Sequence, residues 1–472
     1  MGIGSITDTI ARAVEDASDG VTEMFEPVIR IGVTGLSRAG KTVFITSLVA
    51  NLLDRGRMPQ LLAASEGRIV SAFLQPQPDD TVPRFAYETH LAALTGSTLH
   101  WPHSTRAISQ LRLSLKVQPR GLMAGMRGLK TVHIDIVDYP GEWLLDLPLL
   151  SQSYAEWSEQ ALQQARSQGR ASQAEGWLVQ LEGCDQTAEL DEPTAQDLAQ
   201  GFTEYLSASR EAGFSACAPG RFLLPGDLEG SPVLTFCPLE RPEKPRSKML
   251  YAEFERRFEA YKRKVVKPFF RDHFAKIDRQ IVLVDTLGAI HAGPQAVEDL
   301  RGAMGDILTS FRPGKNTWLS KILRKRVEKI LFVATKADHL HHTQHPQLTA
   351  IMQAMLRDAK DRADFKGART GAMSIASLRA TVEQTVTHEG RPLDLVRGTL
   401  LETGKAAAMH AGELPNDPAH LLTPARQGAT DWLDGDFDVM RFAPPVLTRK
   451  PGDGLPHIRL DKATQFLIGD RL

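Results

Sequence analysis

The chain has 472 residues, 42% of them hydrophobic, so it can bury a large core and form more than one domain. Its 56 Lys and Arg balance 57 Asp and Glu, and this net charge of -1 excludes a general attraction to nucleic acid. Three scattered cysteines exclude a disulfide framework, and the lack of an apolar run of about 20 residues excludes a spanning helix, so we expect a cytoplasmic protein.

The first predicted element is an amphipathic helix within residues 1–27, where apolar residues recur at helical spacing from Ile6 to Val21. Its polar face is acidic, which favours a helix packed on its own domain over one lying on a membrane. A short apolar strand follows from Ile29 to Val33. This strand leads directly into a glycine-containing segment and a second helix.

The segment from Gly35 to Thr42, with the sequence GLSRAGKT, has the pattern of a phosphate-binding loop between a strand and a helix. Its glycines allow backbone N–H groups to approach a phosphate closely, and the N-terminus of the next helix favours an anion. Lys41 can reach the β and γ oxygens, and Thr42 can offer its hydroxyl to Mg²⁺. The candidate phosphate-binding residues here are Gly35, Ser37, Arg38, Ala39, Gly40, Lys41 and Thr42.

Two further strands are predicted from Ile108 to Val117 and from Val132 to Ile136, as an antiparallel pair that ends at Asp138. In the motif Asp138-Tyr139-Pro140-Gly141, the carboxylate can hold a water bound to Mg²⁺ and the Gly141 N–H can sense the γ-phosphate. Asp285 also follows a strand and is a rival for the metal-side carboxylate. We prefer Asp138, because Asp285 then closes the next parallel strand.

Two residues beside these motifs are candidates for catalysis or switching. Thr105 stands just before the strand that begins near Ile108, where a switch threonine would close on Mg²⁺, although an ordinary loop hydroxyl fits as well. Glu142 occupies the place of a water-orienting residue, although a solvated carboxylate at a helix start is an equal alternative. The candidate metal ligands are therefore Thr42, Thr105 and Asp138, and the candidate catalytic residues are Arg38, Lys41 and Glu142.

A base-recognition motif is predicted at Thr335-Lys336-Ala337-Asp338, after a buried strand from Ile330 to Ala334. The Asp338 carboxylate can accept from N1 and N2 of guanine, whereas adenine offers no such pair of donors. Lys336 would pack over the base plane. The candidate base-binding residues are Lys336, Asp338, Ala376 and Ser377.

The order of strands and helices predicts an α/β fold with a mixed sheet, flanked by helices, of the P-loop type. A mostly helical insertion interrupts it, and a small strand-rich module follows it. The predicted parts are an N-terminal helix (1–27), the nucleotide-binding domain in two pieces (28–150 and 279–380), the helical insertion (151–278) and the C-terminal module (381–472).

The sequence resembles the YcjX-like stress-protein family of bacterial P-loop GTPases. The resemblance rests on the motifs GLSRAGKT from Gly35, DYPGEW from Asp138, GRFLLPG from Gly220, TKADH from Thr335 and GLPHIRL from Gly454. It implies a Ras-like core, Mg²⁺-dependent binding of GTP, and a stress-linked role with poorly defined partners. Thr335 stands where guanine-binding motifs usually have Asn, and older family descriptions say ATPase, so the base stays open.

The phosphate loop also resembles that of guanylate-binding proteins, in which the residue matching Arg38 can act as a built-in arginine finger. A basic amphipathic segment around Trp318 could lie on anionic lipid at the inner face of the membrane, although a solvated helix is the simpler interpretation. Four histidines follow the base-recognition motif without a regular metal spacing: His339, His341, His342 and His345.

The sequence therefore predicts a Mg²⁺-dependent GTP-binding protein that hydrolyses GTP to GDP and phosphate and acts on a protein effector as a switch. Three alternatives stay open: an ATPase, a membrane-associated mechanochemical NTPase, and a nucleotide-binding structural protein without useful turnover. No nucleic-acid partner is expected.

Overall fold

A computed structural model describes residues 26–36, 39–103, 107–120, 128–243, 246–310, 327–362, 368–432, 437, 439–448 and 450–472. Several predictions from sequence lie outside these residues and are not addressed by the structure. They are the helix from Ile6 to Val21, the loop residues Ser37, Arg38 and Thr105, and the basic segment around Trp318.

One mixed sheet contains seven strands of the described chain. They are β1 (Val28–Gly35), β2 (Ile69–Gln75), β3 (Ser109–Val117), β4 (Lys130–Asp138), β5 (Arg279–Val284), β6 (Lys329–Ala334) and β7 (Arg369–Ser374). Their order across the sheet is β2-β3-β4-β1-β5-β6-β7. The strands β4, β1, β5, β6 and β7 run parallel to one another, whereas β3 runs antiparallel to both β2 and β4.

The helices of the described residues surround this sheet. They are α1 (Lys41–Asp54), α2 (Leu62–Ser65), α3 (Tyr87–Thr95), α4 (Tyr154–Ala165), α5 (Ala171–Glu182), α6 (Glu192–Glu211), α7 (Gly220–Leu223), α8 (Leu250–Tyr261), α9 (Lys267–Asp272), α10 (Thr286–Ala292), α11 (Pro294–Ser310), α12 (His345–Arg362), α13 (Ala419–Arg426) and α14 (Leu460–Ile468). A 3₁₀ helix, Gly141–Ser151, follows β4, and a π-helical turn, Lys262–Val266, joins α8 to α9.

The central strands are buried on both faces, so their sequences read as nearly continuous apolar runs. In β5, Ile281 and Leu283 belong to a core that also contains residues of α1 and α14. The alternate residues Val282 and Val284 belong to a second core, formed with α11, α12 and the helices between β4 and β5. Successive side chains of a strand point to opposite faces, so the two cores lie on the two sides of the sheet.

The segment between β4 and β5 is mostly helical and has an aromatic core. Trp157 stacks on Phe258 with ring centroids 5.0 Å apart, and Phe202 and Phe236 meet Trp157 edge-on. Side-chain caps stabilise the N-termini of two of its helices. Ser153 forms a capping box with Glu156 before α4, and the Asp191 side chain accepts from the Thr194 N–H before α6.

The C-terminal part contains a small antiparallel sheet in the order β10-β9-β8. Its strands are β8 (Val382–His388), β9 (Arg391–Thr399) and β10 (Ala406–Met409). The predicted mixed α/β fold with a small strand-rich part is thereby confirmed. The final helix, α14, packs instead against the seven-stranded sheet, where Leu460 and Leu467 join the core shared with α1.

No prediction from sequence covers β2 and α3, which lie between the first two motifs, or α14, which follows the last motif. Strand β2 is short and only half-buried, and it extends the sheet beyond β3 at its edge. Within the part of the chain described, no helix has the length and apolar character needed to cross a membrane.

Candidate functional site

The predicted phosphate loop lies where β1 ends and α1 begins, at the carboxyl edge of the parallel strands. Gly40 has a φ of 73°, in the left-handed region that glycine adopts without strain, and it immediately precedes the first turn of α1. The Leu36 N–H donates to the Leu283 carbonyl at 3.0 Å, which attaches the start of the loop to β5. The loop therefore directs the N-terminus of α1 toward the edge at which doubly wound sheets bind ligands.

Lys41 and Asp138 form the central ion pair of this edge. Strands β1 and β4 pair in parallel with Val33 opposite Asp138, which brings the end of β4 beside the phosphate loop. The Lys41 Nζ atom lies 3.0 Å from Asp138 Oδ1. The Asp138 carboxylate is fully buried, and apart from this ion pair neither oxygen has a hydrogen-bond partner among the described residues.

A buried carboxylate with so few partners is costly unless a cation faces it. Its oxygens have the ligand chemistry that Mg²⁺ prefers, and Thr42, also buried, stands directly after Lys41 at the start of α1. The residues present thus fit a site for Mg²⁺. Thr105, the remaining predicted ligand, lies outside the described residues.

Gly141 contacts the backbone of the phosphate loop. A Cβ atom added at this position would clash with the Gly35 carbonyl and would lie only 3.1 Å from the Leu36 nitrogen. Only glycine allows the chain after β4 to approach the loop so closely. The two motifs, about a hundred residues apart in sequence, are therefore in direct backbone contact.

Glu142 joins this site to the helical segment. Its carboxylate lies 3.5 Å from the Nη1 atom of Arg210 on α6. Its carbonyl packs so tightly against Gly220 that a Cβ atom there would clash. Arg210 was not among the site residues predicted from sequence, where it is simply a basic residue in the last turn of a helix.

The rival carboxylate, Asp285, has two other contacts. Its side chain caps α10 by accepting from the Gly288 N–H at 3.0 Å, and it forms an ion pair with Lys336. The structure therefore places Asp285 between the end of β5 and the base-recognition motif. Asp138, by contrast, is the carboxylate that contacts the phosphate-loop lysine.

The predicted base-recognition motif follows β6 and is held by hydrogen bonds to neighbouring segments. The Thr335 hydroxyl donates to the Val284 carbonyl at 3.2 Å, so threonine supplies a loop-bracing hydrogen bond at the position where Asn is usual. The Ala337 N–H donates to the Ile375 carbonyl at 3.0 Å, which holds the motif beside Ala376 and Ser377.

Asp338 is buried at the base of this loop. Its Oδ2 atom accepts from the Ala380 N–H at 2.7 Å, and its main-chain carbonyl accepts from the Thr381 hydroxyl. Lys336 adopts a φ of 59°, a left-handed conformation that is uncommon for a residue with a side chain. All four predicted base-binding residues thus lie in two adjacent loops.

A C-terminal segment also contacts the site, although no role was predicted for it from the sequence. Ile458 and Ala376 exchange backbone hydrogen bonds of 2.9 and 3.1 Å. The Leu455 N–H donates to the Asn51 side chain at 3.2 Å, and His457 Nε2 lies 2.6 Å from the Arg57 carbonyl. These residues belong to the unusual motif from Gly454 to Leu460, already noted in the sequence. The motif connects α1 to the loop that holds the predicted base-binding residues.

The sheet order and the site at its carboxyl edge define a Ras-like α/β protein. The chain belongs to the YcjX-like family, DUF463, whose model matches residues 29–472. It is 39% identical over 457 residues to the Ras-like GTPase YcjX of Escherichia coli, covering 94% of this chain and 96% of that protein. It is 35% identical over 467 residues to the Ras-like GTPase YcjX of Shewanella oneidensis, covering 94% of each chain.

Proposed function

We propose that this chain binds guanine nucleotide with Mg²⁺, hydrolyses GTP to GDP and phosphate, and works as a molecular switch in the cytoplasm. The observation that carries the proposal is the ion pair between Lys41 and the buried Asp138 carboxylate, at the junction of β1, β4 and α1. The names of the two relatives, both Ras-like GTPases, support the same activity.

In this proposal each residue of the site has one task. Lys41 offers its charge to the β and γ oxygens, while the N–H groups at the start of α1 receive the phosphates. Thr42, Asp138 and Thr105 would hold Mg²⁺, which when bound offsets the charge on the phosphate oxygens. Asp338 accepts from the guanine edge, Lys336 covers the base plane, and Ala376 and Ser377 complete the base pocket.

The reaction then needs a water molecule aligned with the γ-phosphate and a cation for the charge that develops on the oxygens. Glu142 orients the water, and Arg38 in the phosphate loop stabilises the developing charge. The Gly141 N–H contacts the γ-phosphate and so responds to its presence. Gly141 adjoins Glu142, and Glu142 contacts Arg210 on α6. A movement of Gly141 can therefore move the helical segment.

A protein effector that reads this change fits a switch, and the stress-linked role implied by the family resemblance is part of the same proposal. Two nucleotide assays test the activity itself. Calorimetric titration of the full-length chain with GTP, GDP and ATP, with and without Mg²⁺, should show guanine preference and a requirement for Mg²⁺ in GTP binding. Phosphate release should then follow GTP addition.

The matched variants are Lys41→Ala and Lys116→Ala. Lys116 is an exposed residue of β3 that pairs with Thr131 near the start of β4, at the end of the sheet away from Asp138. Lys41→Ala should abolish triphosphate binding while Lys116→Ala leaves it unchanged. Equal binding by the wild type and Lys41→Ala would exclude the proposed site, and tighter binding of ATP than GTP would replace the guanine assignment.

A further inference from the structure

A group of histidine and carboxylate side chains lies directly after the base-recognition motif, outside the proposed nucleotide site. Within the part of the chain that the structure describes, His341, His342 and Glu383 form a group whose ligand atoms all lie within 4.8 Å of one another. The two histidines come from the turn before α12, and Glu383 comes from β8 of the small sheet. The fold therefore brings together residues some forty positions apart.

Both imidazoles face the same carboxylate oxygen. His342 Nδ1 lies 2.7 Å from Glu383 Oε2, and His341 Nε2 lies 4.0 Å from that oxygen. The two histidines are adjacent residues, and a 3₁₀ turn starts at His342. Their ring centroids are 4.4 Å apart, so both rings can face Glu383. The other oxygen, Oε1, lies 3.2 Å from Arg379 Nη2, which leaves Oε2 directed at the histidines.

A second carboxylate orients the buried histidine. His341 Nδ1 lies 3.2 Å from Asp394 Oδ2 and 2.9 Å from the Thr343 hydroxyl oxygen. Asp394 also accepts from the Thr385 and Thr343 hydroxyls at 2.8 and 3.1 Å, and these hydrogen bonds hold its carboxylate in place. An ionised carboxylate only accepts, so the His341 proton belongs on Nδ1 and the lone pair on Nε2 faces Glu383.

This arrangement has the organisation of a transition-metal site. Metal-binding histidines usually have their second ring nitrogen held by a hydrogen-bonding partner, often a carboxylate, and His341 Nδ1 here is hydrogen-bonded to the Thr343 hydroxyl and lies 3.2 Å from Asp394 Oδ2. Ligands about 2.1 Å from a tetrahedral zinc ion are separated by roughly 3.4 Å, and the two observed distances to Glu383 Oε2, 2.7 and 4.0 Å, lie on either side of that value. The two imidazole nitrogens are no more than 4.8 Å apart, so side-chain movements would be enough to bring the three ligands to zinc geometry.

We propose that His341, His342 and Glu383 bind a divalent transition metal of the zinc class, with Asp394 holding His341 in the binding tautomer. Two imidazoles and one carboxylate suit zinc rather than Mg²⁺, which prefers oxygen ligands. Three protein ligands leave one coordination position for water, on the side where His342 is 64% exposed. The site is separate from Thr42 and Asp138.

The test is a zinc titration of the tag-free, full-length chain in excess Mg²⁺, which occupies oxygen-ligand sites without competing for imidazole. Competition with a zinc-binding dye gives the stoichiometry and Kd. His342→Ala and Glu383→Gln each remove a ligand at positions where the fold tolerates the change, because His342 is exposed and glutamine keeps the shape of glutamate. His388→Ala is the matched control, an exposed histidine at the end of β8 outside the group.

The wild type and His388→Ala should bind one equivalent of zinc with the same Kd, and the two ligand variants should bind at least about tenfold more weakly. Asp394→Asn should also weaken zinc binding, since the amide no longer fixes the His341 tautomer as firmly. Thermal unfolding without zinc shows that each variant is folded. The proposal is overturned if the wild type binds no zinc, or if His342→Ala and Glu383→Gln bind it as the wild type does.

Discussion

Arg210 and Glu142 form an ion pair between the helical segment and the residue that follows Gly141, with 3.5 Å between Arg210 Nη1 and Glu142 Oε1. The arginine lies in the last turn of α6, and the glutamate lies in the first turn of the 3₁₀ helix after β4. In the proposed mechanism Glu142 orients the attacking water. The position of the Glu142 carboxylate therefore depends on a residue of another part of the chain.

We expect Arg210→Ala to lower GTP turnover severalfold while leaving GDP affinity within about twofold, because the variant releases the Glu142 carboxylate without touching the phosphate loop. The two side chains are partly exposed, so their coupling to stability should be only about 0.5 kcal/mol. Single-turnover hydrolysis in a double-mutant cycle with Glu142→Gln measures the coupling. Strictly additive effects of the two changes on turnover would show that Arg210 does not act through Glu142.

Gly141→Ala tests the contact between the two motifs. The added methyl group would clash with the Gly35 carbonyl, so the chain after β4 must move away from the phosphate loop. We expect at least a tenfold loss of GTP affinity relative to GDP, about 1.4 kcal/mol, because in the proposed mechanism the Gly141 N–H contacts the γ-phosphate. Gly128→Ala is the control, since no atom of the described residues lies within 4 Å of a Cβ atom there. A variant that keeps the wild-type ratio of GTP to GDP affinity contradicts this role.

Asp338→Asn tests the reading of the base. The amide presents a donor toward position 2 of the base, so the variant should lose affinity for GTP and gain affinity for xanthosine triphosphate. The change should be at least about tenfold in the ratio of the two Kd values, as expected for a mispaired buried group. Asn should still accept from the Ala380 N–H, which preserves the loop. An unchanged preference would mean that the base is recognised elsewhere and would favour the ATPase alternative.

Arg38→Ala tests the proposed built-in arginine finger. GDP affinity should stay within a few fold, whereas GTP hydrolysis should fall by at least about tenfold, near 1.4 kcal/mol of transition-state stabilisation. Arg38→Lys should restore little, because a point charge does not reproduce the planar guanidinium. Single-turnover hydrolysis at saturating GTP and Mg²⁺ measures both. If Arg38→Ala turns over at the wild-type rate, the catalytic cation is another arginine, with Arg106 and Arg210 as the next variants.

Asp146, just beyond the Gly141 motif, should make stability depend on pH. It is fully buried, and burial raises its pKa to about 7, although hydrogen bonds from the Tyr261 hydroxyl and the Gly220 N–H, both 2.6 Å long, lower it. The unfolded chain releases this proton near pH 4 and the folded chain holds it, so the free energy of unfolding falls as pH rises toward 7.

Between about pH 5 and about pH 8 this single group should cost the wild type about 2 to 3 kcal/mol of stability. Chemical denaturation at both pH values should show that loss, and Asp146→Asn, which cannot ionise, should remove most of it. Asp197→Asn, at an exposed position of α6, is the control and should behave as the wild type. An identical pH dependence in the wild type and Asp146→Asn would assign the effect to other groups.

The sequence by itself determined the elements whose signals are local. The structure contains the strands predicted from the apolar runs of β1, β5 and β6 and from the alternation of apolar and polar residues in β3. These patterns are local because a strand buried on both faces is apolar throughout, whereas a strand buried on one face is apolar at every second residue. The order of strands and helices likewise predicted a mixed sheet flanked by helices, which the structure contains. Strand β2 was missed because it is a half-buried edge strand with a weak pattern.

Only the tertiary structure decided which side chains face one another. The pairing of β1 with β4 brings Asp138 to Lys41, and the packing of α6 brings Arg210 to Glu142. The turn after the base motif brings two histidines to Glu383 although their spacing has no metal-binding pattern. Such contacts join residues tens to hundreds of positions apart. The free energy that stabilises them comes from burial of the whole core, so they leave no local pattern in the sequence from which they could be predicted.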